Sequence, residues 1–255
     1  MTKDIEELLR TEAARLNSPA FVADDPVQFP RRFSEQRDVE AASLLCATIA
    51  WGNRTMICRN CERMMGLLEW QPYAYIMDEG YETLPDGNVH RTFFNSNLKH
   101  YLRGLRRVFA RYGSVEGLVR AKGVADEAAP AWALARELNR ELCEANDGRT
   151  DSRCLPQNLD STALKRLNMA LRWLVRRDGI VDMGIWTALD PSQLYIPLDV
   201  HVGNTARDLG LLARRSNDRR AVEMLTAELR ALEPSDPTLF DYALFGIGVT
   251  ARHTK

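Results

Sequence analysis

The chain has 255 residues, of which 45% are hydrophobic and 27% charged, and a formal net charge of -1. This composition is ordinary for a globular protein of one large or two small domains, and it excludes a strong overall electrostatic attraction to nucleic acid or anionic membranes. The longest uncharged stretch, 41–53, is shorter than the roughly 18 apolar residues of a membrane-spanning helix. We therefore expect a cytoplasmic protein that does not bind membranes.

Apolar residues recur at spacings of three and four along most of the chain, and no sustained run alternates with a period of two. This spacing is typical of amphipathic helices and predicts an all-α fold. The polar residues Ser34, Ser114 and Ser216 are predicted to cap three of the helices. In chain order, helices are predicted at 3–17, 35–50, 54–69, 72–79, 97–112, 114–121, 126–145, 162–177, 182–189, 199–209, 217–232 and 236–247.

Two segments, 78–97 and 146–161, are polar, rich in turn-forming residues and predicted to be irregular. The first lies between two predicted helices, and the second is the longest irregular stretch near the middle of the chain. We expect residues 1–255 to form a single compact helical unit and a monomer. If the unit consists of two halves, their division is expected near 146–161.

The five cysteines are an odd number, which argues against a disulfide framework and favours reduced thiols. Cys58 and Cys61 form a C-x-x-C pair within a predicted helix. A structural zinc site takes four ligands, and no second pair of cysteines completes such a set. The sequence therefore predicts no metal site.

Most of the 34 basic residues are arginines, and many of them cluster at 103–111, 165–177 and 213–220. One interpretation is that these clusters are solvated helix faces. The other is that they contact phosphate groups, because arginine binds phosphate through a planar, multiply hydrogen-bonding group. Composition does not distinguish the two interpretations.

Two polar residues stand at the starts of predicted helices. Lys165 lies in the first turn of the helix at 162–177, whose buried stripe is predicted to consist of Leu164, Leu167, Leu171 and Leu174. Asp199 lies in the segment YIPLDVHVGNTARDLGLL, where it directly precedes a predicted helix. Aspartate is a preferred N-cap residue, so capping is the simplest interpretation of Asp199.

The segments KRLN (165–168) and LDVHV (198–202) resemble the lysine-bearing and aspartate-bearing segments of the helix-hairpin-helix DNA glycosylases of base-excision repair. This resemblance implies an all-helical fold whose two halves flank a cleft. It implies a DNA glycosylase, with AP lyase activity, that acts on a damaged base flipped out of double-stranded DNA. Lys165 and Asp199 are the catalytic residues that it implies.

The resemblance also implies residues that bind DNA. The turn in AWGNR, which contains Asn53 and Arg54, corresponds to a turn that faces the DNA minor groove. Asn168 and Arg172, on the helix of Lys165, are expected to contact DNA. His201 is expected either to contact a phosphate or to pack. The aromatic residues that could stack on the flipped base, or else belong to the core, are Trp51, Trp173 and Tyr195.

The chain departs from the glycosylase pattern in two places. The stretch LPQNLDSTALK lacks the glycines with which the glycosylase hairpin approaches a phosphate, and the interval from Lys165 to Asp199 is long. A long interval and a modified hairpin resemble the archaeal branch that is specific for 8-oxoguanine. FDYALFGIGV resembles the final glycosylase helix, and no cysteine follows it, so we expect no iron–sulfur cluster and no other cofactor.

Over most of its length the chain also resembles an uncharacterised, conserved bacterial protein family, marked by AWGNR, IPLDVHV and FDYALFGIGV. That family has no established activity. Two alternatives to a glycosylase therefore stay open: a non-catalytic helical protein that binds DNA or RNA, and a metal-dependent hydrolase that uses Asp199 and His201. The hydrolase is disfavoured because the four histidines form no H-x-x-x-H or H-D motif.

Overall fold

The protein is described by a computed structural model covering residues 2–253, with side chains for residues 2–248. It is mostly helical, which confirms the predicted all-α class. The helices are α1 (Lys3–Leu16), α2 (Pro19–Ala23), α3 (Gln36–Thr48), α4 (Arg54–Leu67), α5 (Pro72–Met77), α6 (Asn95–Tyr112), α7 (Val115–Ala121), α8 (Pro130–Glu144), α9 (Lys165–Val175), α10 (Val200–Asp208), α11 (Arg219–Leu232) and α12 (Phe240–His253). Within the described range, no helix combines the length and the apolarity needed to cross a membrane.

The chain divides into two compact units. The central unit consists of Val22–Gln157. The terminal unit consists of the residues up to Phe21 together with those from Asn158 onward, so it combines both ends of the chain. The boundary at 157/158 lies within the segment where the sequence placed a division, whereas the boundary after Phe21 was not predicted.

The central unit contains a small hairpin that the sequence did not predict. Strands β1 (Asn88–His90) and β2 (Phe93–Phe94) pair in antiparallel fashion within the segment expected to be irregular. Arg91 turns the chain with a φ of 50°, and its carbonyl oxygen accepts a hydrogen bond of 2.6 Å from the Asn88 side chain. Strands of two and three residues are too short to show an alternating pattern, so no sequence pattern indicated them.

The terminal unit is built around α12, against which α1 and α10 both pack. Helix α9 is buried on almost every side, and the predicted stripe of Leu164, Leu167, Leu171 and Leu174 is buried as expected. The close packing of α10 and α12 depends on Gly248, since a Cβ atom there would lie 2.6 Å from the Thr205 hydroxyl oxygen. The start of α10 is thereby held near the chain's last helix.

The helix predicted at 182–189 is absent. Its backbone instead binds the end of α9: the amides of Met183 and Gly184 donate to the Trp173 carbonyl at 2.8 and 3.2 Å, and the Trp186 amide donates to the Leu174 carbonyl at 2.9 Å. The last carbonyls of a helix have no partner within the helix. Here the amides of residues 183, 184 and 186 donate to these carbonyls, so the same amides are not available for a helix at 182–189.

Two of the three predicted serine caps are wrong. Ser114 caps α7 as expected, and its hydroxyl accepts a hydrogen bond of 2.8 Å from the Gly117 amide. Helix α3, however, begins after Glu35 without a side-chain cap, and α11 is capped by Asp218, whose carboxylate accepts from the Ala221 amide at 3.0 Å. Helix α3 begins one residue later than predicted, and α11 begins two residues later.

Candidate functional site

Lys165 is the first residue of α9 and is half-buried. The residue before it, Leu164, has a left-handed backbone with φ 48° and ψ 33°, which is uncommon for a residue other than glycine. The Asn168 side chain donates to the Ala163 carbonyl at 3.1 Å, which ties this turn to the next turn of the helix. The strained turn and the Asn168 hydrogen bond together determine where the Lys165 side chain starts.

Asp199 caps α10, as the sequence predicted. Its Oδ1 atom accepts hydrogen bonds from the His201 amide at 2.8 Å and from the Val202 amide at 3.0 Å. Among the described residues, no group donates to Oδ2, and no cation forms an ion pair with the carboxylate. The half-buried side chain therefore uses one oxygen for the helix and keeps the other available.

The backbone of Asp199 is held by a residue that the sequence did not single out. The Asn217 amide group donates to the Asp199 carbonyl at 2.9 Å, and the Asn217 side-chain oxygen accepts from the Arg207 guanidinium at 2.5 Å. Gly203 leaves room for this side chain, because a Cβ atom there would lie 2.6 Å from the Asn217 oxygen. The absence of a side chain at Gly203 therefore accommodates a loop residue.

Asp241, near the start of α12, is a buried carboxylate whose pKa is affected by both Lys165 and Asp199. Its side chain is buried, with 7% of the residue exposed, and its Oδ2 atom is bonded to the Arg172 guanidinium. Burial raises the pKa of Asp241 to about 6, although Arg172 lowers it. The Asp199 carboxylate raises the same pKa further, and the Lys165 ammonium group lowers it. Lys165 and Asp199 therefore act electrostatically on Asp241, whereas Arg172 is bonded to it directly.

The sequence contained a weak signal for Asp241. It is a charged residue in FDYALFGIGV, an otherwise apolar segment that is largely buried. An aspartate in the first turn of a helix is usually explained by the helix dipole, and that explanation concealed its relation to Lys165 and Asp199. The helix that carries Asp241, α12, packs against α10, whose N-cap residue is Asp199.

Arg172 belongs to a buried ion-pair network in the terminal unit. Its Nε donates to Asp182 at 3.2 Å, and Arg176 donates to the other oxygen of Asp182 at 3.1 Å. The Tyr242 hydroxyl also donates to Asp182, at 2.8 Å. With 4% of its surface exposed and both Asp182 and Asp241 bound, Arg172 does not extend outward to a phosphate, and the expected DNA contact is corrected to a role inside the unit.

Four other predicted residues of the terminal unit differ in exposure. Trp173 is fully buried, which corrects its assignment as a base-stacking candidate to a core residue. Tyr195 is half-buried, and the Arg230 guanidinium lies 5.7 Å from the centre of its ring. His201 is half-buried, two residues after Asp199, and remains a candidate contact. Asn168 is 1% exposed and acts on the turn before Lys165, so its expected contact with DNA is also corrected.

The remaining predicted residues lie together in the central unit. Asn53 caps α4, and its side-chain oxygen accepts from the Met56 amide at 3.1 Å. Arg54 forms an ion pair of 2.8 Å with Asp25. The half-buried Trp51 meets the His90 ring edge to face, at 4.7 Å between ring centres, and its carbonyl accepts from the His90 Nε2–H at 2.8 Å. These contacts build one well-defined turn in AWGNR.

The cysteine pair is not arranged as a metal site. All five cysteines are free, and burial raises the pKa of Cys58 to about 11. A thiol with so high a pKa is a poor source of the thiolate that metals bind. No group of three or more histidine, cysteine, aspartate or glutamate residues in the described part of the chain is arranged to hold a metal ion.

Comparison with known proteins identifies one family. The family model described as "Protein of unknown function (DUF2400)" matches residues 25–250, which is most of the chain and includes Lys165, Asp199 and Asp241. No curated protein and no solved structure matches the chain.

Proposed function

We propose that this chain, which belongs to the DUF2400 family, is a DNA glycosylase with AP lyase activity that removes a damaged base through Lys165 and Asp199. Its substrate is double-stranded DNA in the cytoplasm, and it acts as a monomer without a cofactor. Lys165 at the start of α9 and Asp199 at the start of α10 belong to the same unit, and Asp199 uses only one oxygen for its helix cap, which supports this proposal. The resemblance of KRLN and LDVHV to the glycosylase segments supplies the reaction class.

The reaction begins when the damaged nucleotide leaves the base stack, which costs a few kcal/mol. The Lys165 amine, after losing its proton, attacks C1′ of the deoxyribose and forms a C–N bond. The N-glycosidic bond breaks, and its electron pair leaves with the base, which takes up a proton. C1′ gains positive charge in this step, and the unbonded Oδ2 of Asp199 is suited to stabilise that charge.

The lyase step follows from the covalent adduct. The sugar ring then opens: the nitrogen lone pair forms a protonated Schiff base between Lys165 and C1′, the C1′–O4′ bond breaks, and O4′ keeps that bond's electron pair and takes up a proton. A base then removes a proton from C2′, and the 3′ phosphate leaves with its electron pair, which cleaves the strand. Asp199, with one oxygen free of the helix cap, is the available acceptor for the proton that Lys165 loses on attack.

The proposal is tested by borohydride trapping on duplexes that contain 8-oxoguanine, uracil, an alkylated purine or an abasic site. We test 8-oxoguanine first because the resemblance is nearest to the archaeal branch specific for that lesion. A covalent protein–DNA adduct is expected for the unmodified protein. It is expected to disappear in Lys165→Gln and to form slowly in Asp199→Asn.

Two matched variants separate catalysis from folding. Lys3→Gln removes an exposed lysine from α1, and Asp218→Asn changes the aspartate that caps α11. Both belong to the terminal unit and are expected to form the adduct at the unmodified rate. If no duplex yields an adduct or a cleaved product, while binding persists and weakens steeply with salt, the protein is a non-catalytic nucleic-acid-binding protein instead.

A further inference from the structure

The arginine cluster at 103–111, one candidate phosphate contact in the sequence, forms ion pairs within the central unit. All four of its arginines pair with glutamates: Arg103, Arg106, Arg107 and Arg111. The buried Glu141 carboxylate alone binds two of them, at 2.9 and 3.1 Å. Because these positive charges are already balanced, the cluster is explained as part of the folded unit.

Three other arginines of the central unit lie beside the hairpin of β1 and β2 and have no carboxylate partner. They are Arg59 and Arg63 of α4 and Arg91 of the hairpin turn. All three are exposed, and in the described part of the chain no ion pair involves any of them. Their charges are therefore not balanced by the protein itself, and we name this set the α4 arginine surface.

Side chains of α4 fix the hairpin on one face of that helix. Arg63 follows Arg59 by four residues and Asn60 by three, so all three lie on this face. The Asn60 amide group donates to the Nδ1 atom of the fully buried His90 at 2.8 Å, and the Arg63 guanidinium donates to the Asn88 carbonyl at 2.7 Å. A carbonyl oxygen accepts this hydrogen bond without balancing the arginine's charge. Arg63 therefore holds the hairpin and keeps its positive charge.

Arg91 lies over the backbone of Gly52, directly before the N-cap of α4. A Cβ atom on Gly52 would lie 2.6 Å from the Arg91 Nη1 atom and 3.5 Å from its Cδ atom. The φ of Arg91 is 50°, in the region that glycine and asparagine adopt most easily, and the Asn88 side chain holds this conformation through the Arg91 carbonyl. Neither the backbone nor burial favours an arginine here, so its exposed positive charge needs another explanation.

The extent of the α4 arginine surface fits a chain of phosphates better than a single anion. Roughly 14 Å of helix separate the start of α4 from Arg63, and each strand of duplex DNA carries one phosphate per about 3.4 Å of its axis. Two carboxylates near α4 are bound to other cations: Glu62 to Arg32 at 3.1 Å and Asp25 to Arg54 at 2.8 Å. The unpaired cations therefore form a surface complementary to an extended polyanion.

We propose that the α4 arginine surface, formed by Arg59, Arg63 and Arg91, binds the phosphate backbone of duplex DNA. This inference rests on the proposed function for the identity of the ligand, and it assigns the central unit a DNA-binding surface of its own. A guanidinium group forms paired hydrogen bonds with phosphate oxygens. Contacts to the backbone position the protein without reading the base, so they are the same for damaged and undamaged duplexes.

The test measures binding of the full chain to an undamaged, fluorescently labelled duplex by anisotropy between about 50 and 200 mM KCl. Each phosphate contact adds about 0.9 to the slope of log affinity against log salt. Arg91→Asn is therefore expected to reduce that slope by about 0.9 and to weaken binding about eightfold at 0.1 M KCl. Adding Arg59→Gln is expected to double the loss of slope.

Two further variants separate the role of Arg91 from folding and from net charge. Asparagine adopts positive φ readily, so Arg91→Asn is expected to unfold at a urea concentration no lower than the unmodified protein does. Arg106→Gln removes the same charge from the ion pair with Glu79 and is expected to bind DNA as the unmodified protein does. Equal slopes and affinities in Arg91→Asn and Arg106→Gln would overturn the inference, as would tighter binding of an RNA duplex of the same length.

The two proposals fail in different ways, because anisotropy with an undamaged duplex requires no chemical step. If borohydride traps an adduct while Arg91→Asn binds the duplex as tightly as the unmodified protein, the proposed function stands and this inference is wrong. If binding depends on Arg91 and no duplex yields an adduct or a cleaved product, the α4 arginine surface stands and the glycosylase proposal is wrong. A protein that binds no duplex at low salt would overturn this inference.

Discussion

At the residue scale, Asp199 has one side chain and two tasks. Oδ1 caps α10, and no described residue donates a hydrogen bond to Oδ2. A residue with only a structural role would tolerate any equally good cap. The two tasks can be separated because asparagine caps a helix about as well as aspartate but carries no charge.

Asp199→Asn is therefore expected to leave the free energy of unfolding nearly unchanged, whereas Asp199→Ala is expected to lower it by about 1 kcal/mol. Both variants are expected to release the base at least about 100-fold more slowly than the unmodified protein, because both lack the carboxylate. Urea unfolding and single-turnover kinetics measure the two effects. Equal destabilisation by asparagine and alanine would contradict the capping role.

Asp241 predicts a dependence of stability on pH. Its pKa is about 6 in the folded protein against an ordinary value of 3.8, mainly because of burial. A raised pKa means that the folded protein binds the proton more tightly than the unfolded chain does. The resulting contribution to the free energy of unfolding is complete below pH 3.8 and is lost as the pH rises through 6. The free energy of unfolding thereby falls by about 3 kcal/mol.

The measurement compares the protein with Asp241→Asn, which cannot ionise at this position. Between pH 4 and pH 7, the free energy of unfolding of the unmodified protein is expected to fall by about 3 kcal/mol relative to that of the variant. Other carboxylates titrate in both proteins and cancel in the difference. A constant difference across this range would mean that Asp241 is ionised throughout.

At the element scale, α9 is the helix whose surroundings the sequence described least well. Its apolar stripe was predicted correctly, but Asn168 and Arg172 were expected to contact DNA. Both residues are buried, and so is Arg176, which directly follows the helix. A helix pattern shows which positions are apolar, and it does not show that carboxylates distant in the sequence will bind the polar ones.

The segment after α9 predicts a contrast between two glycines with positive φ. Gly184 has a φ of 58°, and a Cβ atom there would lie 2.7 Å from the Arg177 Cα; Gly179 has a φ of 69° and open space around that position. Gly179→Ala is expected to lower the free energy of unfolding by about 1–2 kcal/mol, the cost of the backbone alone. Gly184→Ala is expected to cost at least about 3 kcal/mol, because overpacking adds to it.

Chemical denaturation of both variants measures this contrast. A similar cost for the two alanines would show that the segment shifts freely away from Arg177. It would then be hard to explain why residues 182–189 bind the end of α9 instead of forming the predicted helix.

At the scale of the whole molecule, the terminal unit depends on helices from opposite ends of the chain. Helix α1 packs against α12, and a Cβ atom on Gly246 of α12 would lie within 1.8 Å of the Leu16 side chain. Lys165, Asp199 and Asp241 all belong to this unit. The N-terminal helix therefore supports the unit that carries the candidate site.

Two adjacent leucines of α1 test this dependence. Leu9 is fully buried, whereas Leu8 is 39% exposed. Leu9→Ala is expected to lower the free energy of unfolding by about 2–5 kcal/mol, and Leu8→Ala by less than about 1 kcal/mol. Hydrogen exchange of the α12 amides is expected to become faster only in Leu9→Ala, and unchanged exchange in both variants would contradict the role of α1.

The sequence by itself determined the helical class, most helix positions, the Asp199 cap and the place of Lys165 at a helix start. These features are local, because hydrophobic spacing and capping involve residues a few positions apart. Only the tertiary structure decided that Arg172 lies inside the unit, that residues 182–189 are not helical and that Asp241 binds Arg172. Each of these depends on packing between segments distant in the chain, which no local pattern encodes.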